Sequence, residues 1–140
     1  MTSQVENSKE TKKNNTSDNE DLILQLEKQV SIAVWIQFIG QFMEAILLSK
    51  IASISEEIRS DPNERQIIHG VWIQSIGQLL ESIGVTQQVI TSDDYIQLKG
   101  QEITTLGDWI QVFGTLIEAQ GGSRVLAEEI ARMEAELFIP

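Results

Sequence analysis

A thirteen-residue segment occurs three times in this chain at a constant spacing. It reads VWIQFIGQFMEAI from Val34, VWIQSIGQLLESI from Val71 and, more loosely, DWIQVFGTLIEAQ from Asp108. Corresponding residues are 37 positions apart each time. A fixed period of this length is typical of a repeated supersecondary unit that cannot bury its apolar face alone. We therefore predict a helical repeat domain over residues 20–140, with repeats at about 20–56, 57–93 and 94–130 and a helix end at 131–140.

Apolar residues within each copy recur with the period of an α-helix. In the first copy Trp35, Ile39, Phe42, Met43 and Ile46 fall at i, i+4, i+7, i+8 and i+11, the stripe that one helix face buries. A second face, roughly opposite, carries Gln, Gly and Glu in every copy. Its members are Gln37, Gly40, Glu44, Gln74, Gly77, Glu81, Gln111, Gly114 and Glu118. We predict that these nine residues form a helix-contact face.

The glycine inside each helical copy is costly unless something compensates for it. An interior glycine destabilises a helix by about 1 kcal/mol relative to alanine, so three in register cost about 3 kcal/mol. Close approach of another backbone, with the neighbouring glutamine amides bonding across the contact, offers that compensation. Gly40, Gly77 and Gly114 are thus predicted to mark helix crossings, within one chain or between chains. The alternative is that the duplicated units have simply not diverged.

A tryptophan begins the apolar stripe of each copy. Trp35, Trp72 and Trp109 are predicted to be core residues, with each indole N–H bonded to a carbonyl or a glutamine. Three equally spaced tryptophans lining a ligand or peptide groove are the alternative.

Capping signals divide the chain into four predicted helices. Starts are predicted at Ser17, Asp61 and Ser92, a stop at Gly84, and a sharp break at Gly121 and Gly122 before a last helix. Residues 85–91 are predicted to be a loop or a short helical turn, and the first helix either runs on through residues 47–60 or breaks near Ser49. The expected fold class is all-α, an up-down helical bundle or a short α-repeat array.

Composition excludes several functional classes. With a net charge of −11, the chain lacks the basic surface that binding to a phosphate backbone requires, so nucleic acid is not an expected partner. The same negative charge opposes binding to anionic lipid headgroups. The chain has no cysteine, which removes disulfides and thiolate sites. Residues 1–19 are polar, without the apolar region of a signal peptide, and are expected to form a disordered tail. A cytoplasmic location is expected.

Candidate catalytic residues are sparse. His69 is the sole histidine and lacks a metal-site context, and no phosphate-binding or nucleophile motif occurs. No cofactor is expected, and the protein is not expected to be an enzyme. Convergence of the three repeated glutamates, Glu44, Glu81 and Glu118, into a cation site remains an alternative.

The most apolar window, residues 30–48, is long enough to span a membrane but contains Gln37, Gln41 and Glu44. A glutamate near the bilayer centre is costly, so membrane association is the less favoured hypothesis, although an oligomer would hide that side.

The W-I-Q-x-x-G helices of Ala33–Ile46, Gly70–Ile83 and Gly107–Gln120 resemble those of uncharacterised repetitive proteins from spore-forming Gram-positive bacteria. That family has no assigned function, so the resemblance implies tandem helices and no activity. From the residues we expect a non-enzymatic interaction or self-assembly protein, whose partner is itself or another protein.

Overall fold

A computed structural model describes the backbone of residues 2–138 and the side chains of residues 18–138. Within this range the chain forms four α-helices and no strand: α1 (Thr2–Ile54), α2 (Glu56–Ser60), α3 (Pro62–Ile90) and α4 (Asp94–Leu137). The predicted all-α class is confirmed. Each copy of the repeated segment lies on a different long helix, the first on α1, the second on α3 and the third on α4.

Side-chain caps fix the starts of α2, α3 and α4. Asp61 caps α3 by accepting bonds from the backbone N–H groups of Asn63 and Glu64, and Pro62 occupies the first turn, where a missing N–H costs nothing. The start predicted at Ser92 is displaced by one residue, because Asp93 is the residue that caps α4. The first helix, α1, runs past Ser49 and ends at Ile54. The next residue, Ser55, is the N-cap of the short α2.

Several predicted boundaries are wrong. Residues 85–90 continue α3, Gly84 is buried inside that helix, and α4 passes without a break through Gly121 and Gly122. No described glycine has a positive φ, so none of them forms the left-handed cap that ends many helices. Gly84 and Gly121 instead lie against a neighbouring backbone, where a missing side chain allows contact.

The predicted start at Ser17 is also displaced, because α1 begins at Thr2. These bounds include most of the segment expected to be a disordered tail, residues 1–19. Side chains before residue 18 lie outside the described residues, so the disordered tail remains a prediction. The repeat boundaries also remain predictions.

The long helices form a layer with α3 in the centre. α3 packs along α4 on one side and along α1 on the other. Small residues fill most of the buried positions: Ser75, Gly77, Ser82 and Gly84 in α3, and Gly100, Gly107, Gly114 and Gly121 in α4. Val34, Ala45 and Val71 are the apolar side chains that are buried among the described residues. A layer this thin leaves many large apolar side chains in contact with water.

Candidate helix-pairing faces

Glycines bring α3 and α4 into backbone contact. A methyl group on Gly77 would lie 2.6 Å from the carbonyl oxygen of Gly107, and one on Gly107 would lie 2.6 Å from the carbonyl oxygen of Gly77. Gly70 and Gly114 are paired in the same reciprocal way at 2.7 Å. The two helices therefore run antiparallel, and a side chain at any of these four positions would force them apart. This surface of each helix is called the Gly face below.

Amide-to-carboxylate hydrogen bonds flank the glycines. Gln111 donates from Nε2 to Glu81 Oε2 at 2.8 Å, and Gln74 donates from Nε2 to Glu118 Oε2. All four side chains are half-buried, and Glu81 also accepts a bond from Gln78. Bonds to a charged acceptor are stronger than neutral ones, so they strengthen the contact and set its register.

The α3–α4 contact is symmetric in terms of the repeat. Gln74 and Gln111 occupy one position of the thirteen-residue segment, and Glu81 and Glu118 occupy another. Each glutamine bonds to the glutamate of the other helix, so the two copies are related by a local two-fold axis. A segment that pairs with a second copy of itself is self-complementary, which is the property of an isologous interface.

A different surface pairs α1 with α3, through tryptophan and hydroxyl side chains. Trp35 donates from Nε1 to Thr86 Oγ1 at 2.9 Å, and Trp72 donates from Nε1 to Ser49 Oγ at 2.9 Å. Ser49 and Thr86 are 37 residues apart, as the two tryptophans are, so this contact is also two-fold symmetric. The surface is called the Trp face below.

Aromatic packing and small residues complete the Trp-face contact. Phe42 lies edge-on to Trp72 with ring centroids 5.8 Å apart, and Phe38 stacks on Phe42 at 5.6 Å. Val34 and Val71 are buried at equivalent positions of the two copies. The indole partner is thus a hydroxyl rather than the carbonyl or glutamine expected from the sequence.

The predicted contact residues of the first copy take no part in the α3–α4 contact, although Gln37 lines an open groove that Glu81 and Gln111 also line. Gln37, Gly40 and Glu44 are exposed on α1, and a methyl group on Gly40 would have no described atom within 4 Å. Gly77 and Gly114 lie at helix crossings inside the chain, whereas Gly40 does not. In the described part of the chain, the Gly face of α1 is therefore open to solvent.

The core assignment of Trp109 is wrong. Trp109 is 60% exposed, because α4 pairs with α3 through its Gly face and its Trp face has no described neighbour. Asp108 stands on this face at the position where the other copies bury Val34 and Val71. Partial burial, and then the nearby Glu81 carboxylate, raise the pKa of Asp108 above its usual value.

The repeated glutamates do not converge. Glu81 and Glu118 bond to different glutamines at separate points of the α3–α4 contact, and Glu44 lies on the open side of α1. No group of three or more metal-binding side chains comes together within the described residues. His69 is exposed beside Arg65 and Ser49, in a shallow depression.

Further contact residues escaped the sequence analysis although their spacing was visible. Glycines recur every seven residues in α3 and in α4, at Gly70, Gly77 and Gly84 and at Gly100, Gly107, Gly114 and Gly121. A seven-residue period keeps small residues on one side of a helix over two turns, which predicts a long close contact. Ser49 and Thr86 also occupy equivalent positions of two copies, with Ser123 at that position in the third, so a hydroxyl recurring at the repeat period was the available signal for the indole partners.

The comparison with protein families covers the segment from α1 to the third copy. A family match extends over residues 24–119, more than half of the chain. The chain belongs to a family of unknown function, DUF6944. Its matched region includes both paired contacts and the open Gly face of α1. The curated proteins and the solved structures contain no match to this chain.

Proposed function

We propose that this protein is a non-enzymatic self-assembly module that associates through the exposed faces of its helices. The observation that carries the proposal is the difference between equivalent glycines. Gly77 and Gly114 lie against a neighbouring backbone, whereas Gly40 has the same sequence context and no described neighbour.

Exposed apolar surface supports the same proposal. Large side chains lie open along α1, among them Ile32 at 62%, Ile36 at 64% and Ile39 at 58% exposure. Extended apolar surface on a soluble chain is typical of protein or membrane contacts. The acidic surface disfavours nucleic acid as the partner. Kinship with bacterial repetitive proteins and a cytoplasmic location fit this role and are part of the proposal.

Light scattering after size-exclusion chromatography tests the proposal. The full chain, without detergent, is measured over a hundredfold range of concentration. Self-assembly predicts a mass that rises with concentration above the 15.7 kDa of the single chain. A constant mass of 15.7 kDa up to the highest concentration would contradict it.

One observation favours membrane association as a second candidate function. Residues Asp18–Ile54 form a stretch of 37 residues containing a window of mean hydropathy 1.6, of which 11% is buried. This is the one helix of the described residues that is long and apolar enough to cross a bilayer. Flotation with uncharged lipid vesicles distinguishes the candidates, because a membrane protein rises with the vesicles and a soluble assembly stays in the dense fraction.

A further inference from the structure

Each position of the Gly face is covered in α3 and α4 and open in α1. Gly70, Gly77, Gly107 and Gly114 are buried, while their equivalents Ala33 and Gly40 are exposed. Gln74, Gln111, Glu81 and Glu118 are half-buried, while Gln37 and Glu44 are exposed. Ile73 and Ile110 beside the face are also half-buried, whereas Ile36 is 64% exposed. The first copy thus has the chemistry of a paired face without the pairing.

Its occupant follows from the symmetry of the internal contact. Each residue of α3 has its equivalent in α1 one repeat earlier, and each residue of α4 has its equivalent two repeats earlier. The pair of Gly70 and Gly114 therefore corresponds to Ala33 opposite Gly40 in two α1 helices. The pair of Gly77 and Gly107 becomes Gly40 opposite Ala33. Because both contacts map onto the same two positions, a second α1 in antiparallel orientation meets this surface in a two-fold register, with an alanine in place of one glycine of each pair.

We propose that the protein forms a two-fold symmetric dimer in which α1 packs antiparallel against α1 of a second copy, with Gly40 facing Ala33 and Gln37 bonding to Glu44. This inference rests on the proposed function and names its partner. Both Gln37 side chains donate to the Glu44 carboxylates across the axis, as Gln111 donates to Glu81 within the chain.

The ends of the contact differ from the internal one. Where α3 and α4 place Gly84 against Gly100, the same shift puts Leu47 opposite Leu26. Both leucines are exposed, at 52% and 50%. The Ala33 methyl groups and these leucines therefore hold the two α1 helices further apart than α3 and α4. The leucines pack at both ends, which buries apolar surface that the single chain leaves in water.

The opposite edge of the layer is the Trp face of α4, where Asp108 opposes a further pairing. Pairing of two α4 helices through their Trp faces would bury Asp108 where the internal contact buries Val34 and Val71. Burying a carboxylate without a cationic partner is costly. The Trp face of α4 is therefore a closed edge at neutral pH, and the assembly is a dimer rather than an open array.

The test compares variants by light scattering at a concentration at which the wild type shows twice 15.7 kDa. Gly40→Leu places a bulky side chain at the centre of the contact and raises the dissociation constant about 100-fold or more, returning the mass to that of one chain. Gly122→Leu is the matched control, because a methyl group there also meets nothing within 4 Å and Gly122 lies outside the Gly face. It leaves the dimer intact.

A charge exchange tests the register. Gln37→Glu places two carboxylates against each other on both sides of the two-fold axis, and their repulsion dissociates the dimer. Adding Glu44→Gln to the same chain restores an amide-to-carboxylate pair and with it the dimer. Asp108→Val removes the charge from the closed edge and produces masses above the dimer.

The outcomes separate this inference from the proposed function. A wild-type chain that stays monomeric overturns both. An assembly that Gly40→Leu and Gln37→Glu leave intact overturns the α1 dimer while self-assembly stands. Failure of Glu44→Gln to restore the Gln37→Glu variant overturns the register, and a dimer unchanged by Asp108→Val overturns the closed edge.

Discussion

Replacing Gly77 with alanine tests the close contact between α3 and α4. A methyl group there would lie 2.6 Å from the Gly107 carbonyl oxygen and 2.7 and 2.8 Å from Cγ and the backbone nitrogen of Gln111. Ordinary contact begins at 3.4 Å, so the helices must separate locally by about 0.8 Å. Two of the three obstructing atoms belong to the backbone and cannot rotate away.

Two opposing terms set the size of the effect. Alanine gains about 1 kcal/mol in helix propensity over glycine. Overpacking costs about 3 kcal/mol, the upper end for core insertions, because the displaced atoms are backbone. The expected net loss is about 2 kcal/mol, which lowers the melting temperature by about 8 °C in a chain of this length.

Gly122→Ala is the control, since it gains the same helix propensity and meets no atom within 4 Å. It should raise the melting temperature by about 4 °C. Thermal unfolding of both variants is followed by far-UV circular dichroism at a low, fixed concentration. Equal stabilisation by Gly77→Ala and Gly122→Ala would refute the close contact.

Three further predictions concern the Trp faces and the net charge. Trp72→Phe removes the hydrogen bond to Ser49 and should lower the free energy of unfolding in urea by about 1–2 kcal/mol. Trp109→Phe, at an exposed position, should stay within about 0.5 kcal/mol of wild type, and equal effects would contradict the assignment of the faces. The pKa of Asp108 is raised on folding, so its charged form opposes folding. Asp108→Asn should therefore raise the melting temperature at neutral pH, and the gain should shrink as the pH falls through that pKa. A lower melting temperature at neutral pH would contradict this sign. Two chains of charge −11 repel each other, so the dissociation constant should fall as sodium chloride rises, and weaker association in salt would contradict the apolar contact.

The contact of two of the three repeated glycines, Gly77 and Gly114 but not Gly40, was accessible from the sequence for a physical reason. An interior glycine in register with glutamine and glutamate is expensive, and Gly77 and Gly114 do lie against a neighbouring backbone. The same reasoning failed for helix ends. A glycine that admits a neighbouring helix resembles a glycine that ends its own, so Gly84 and Gly121 were misread as boundaries although both lie inside long helices.

Burial of the apolar stripe was predicted wrongly even where the helix has a neighbour, because Ile39, Phe42, Met43 and Ile46 of α1 are 58%, 40%, 55% and 44% exposed. For the tryptophans, burial depends on which copy has a neighbour. Trp35 and Trp72 face each other's helices, while Trp109 has an equivalent stripe and no described helix to bury it. Periodicity marks an apolar face, and the thin layer buries only the part of that face that lies against the next helix. Asp108, at the position of two buried valines, was the local sign that the third Trp face differs.

Cysteine cross-linking tests the α1 dimer most directly, because the native chain has no cysteine. In the proposed register the two copies of residue 36 lie within about 5 Å of each other along the helix axis, whereas those of residue 53 lie more than about 45 Å apart. Ile36→Cys and Ser53→Cys, both at exposed positions, are treated with a short bifunctional maleimide at the concentration at which the wild type is dimeric. The α1 dimer predicts a covalent dimer for Ile36→Cys and none for Ser53→Cys. Equal cross-linking of the two variants, or none of Ile36→Cys, would contradict it.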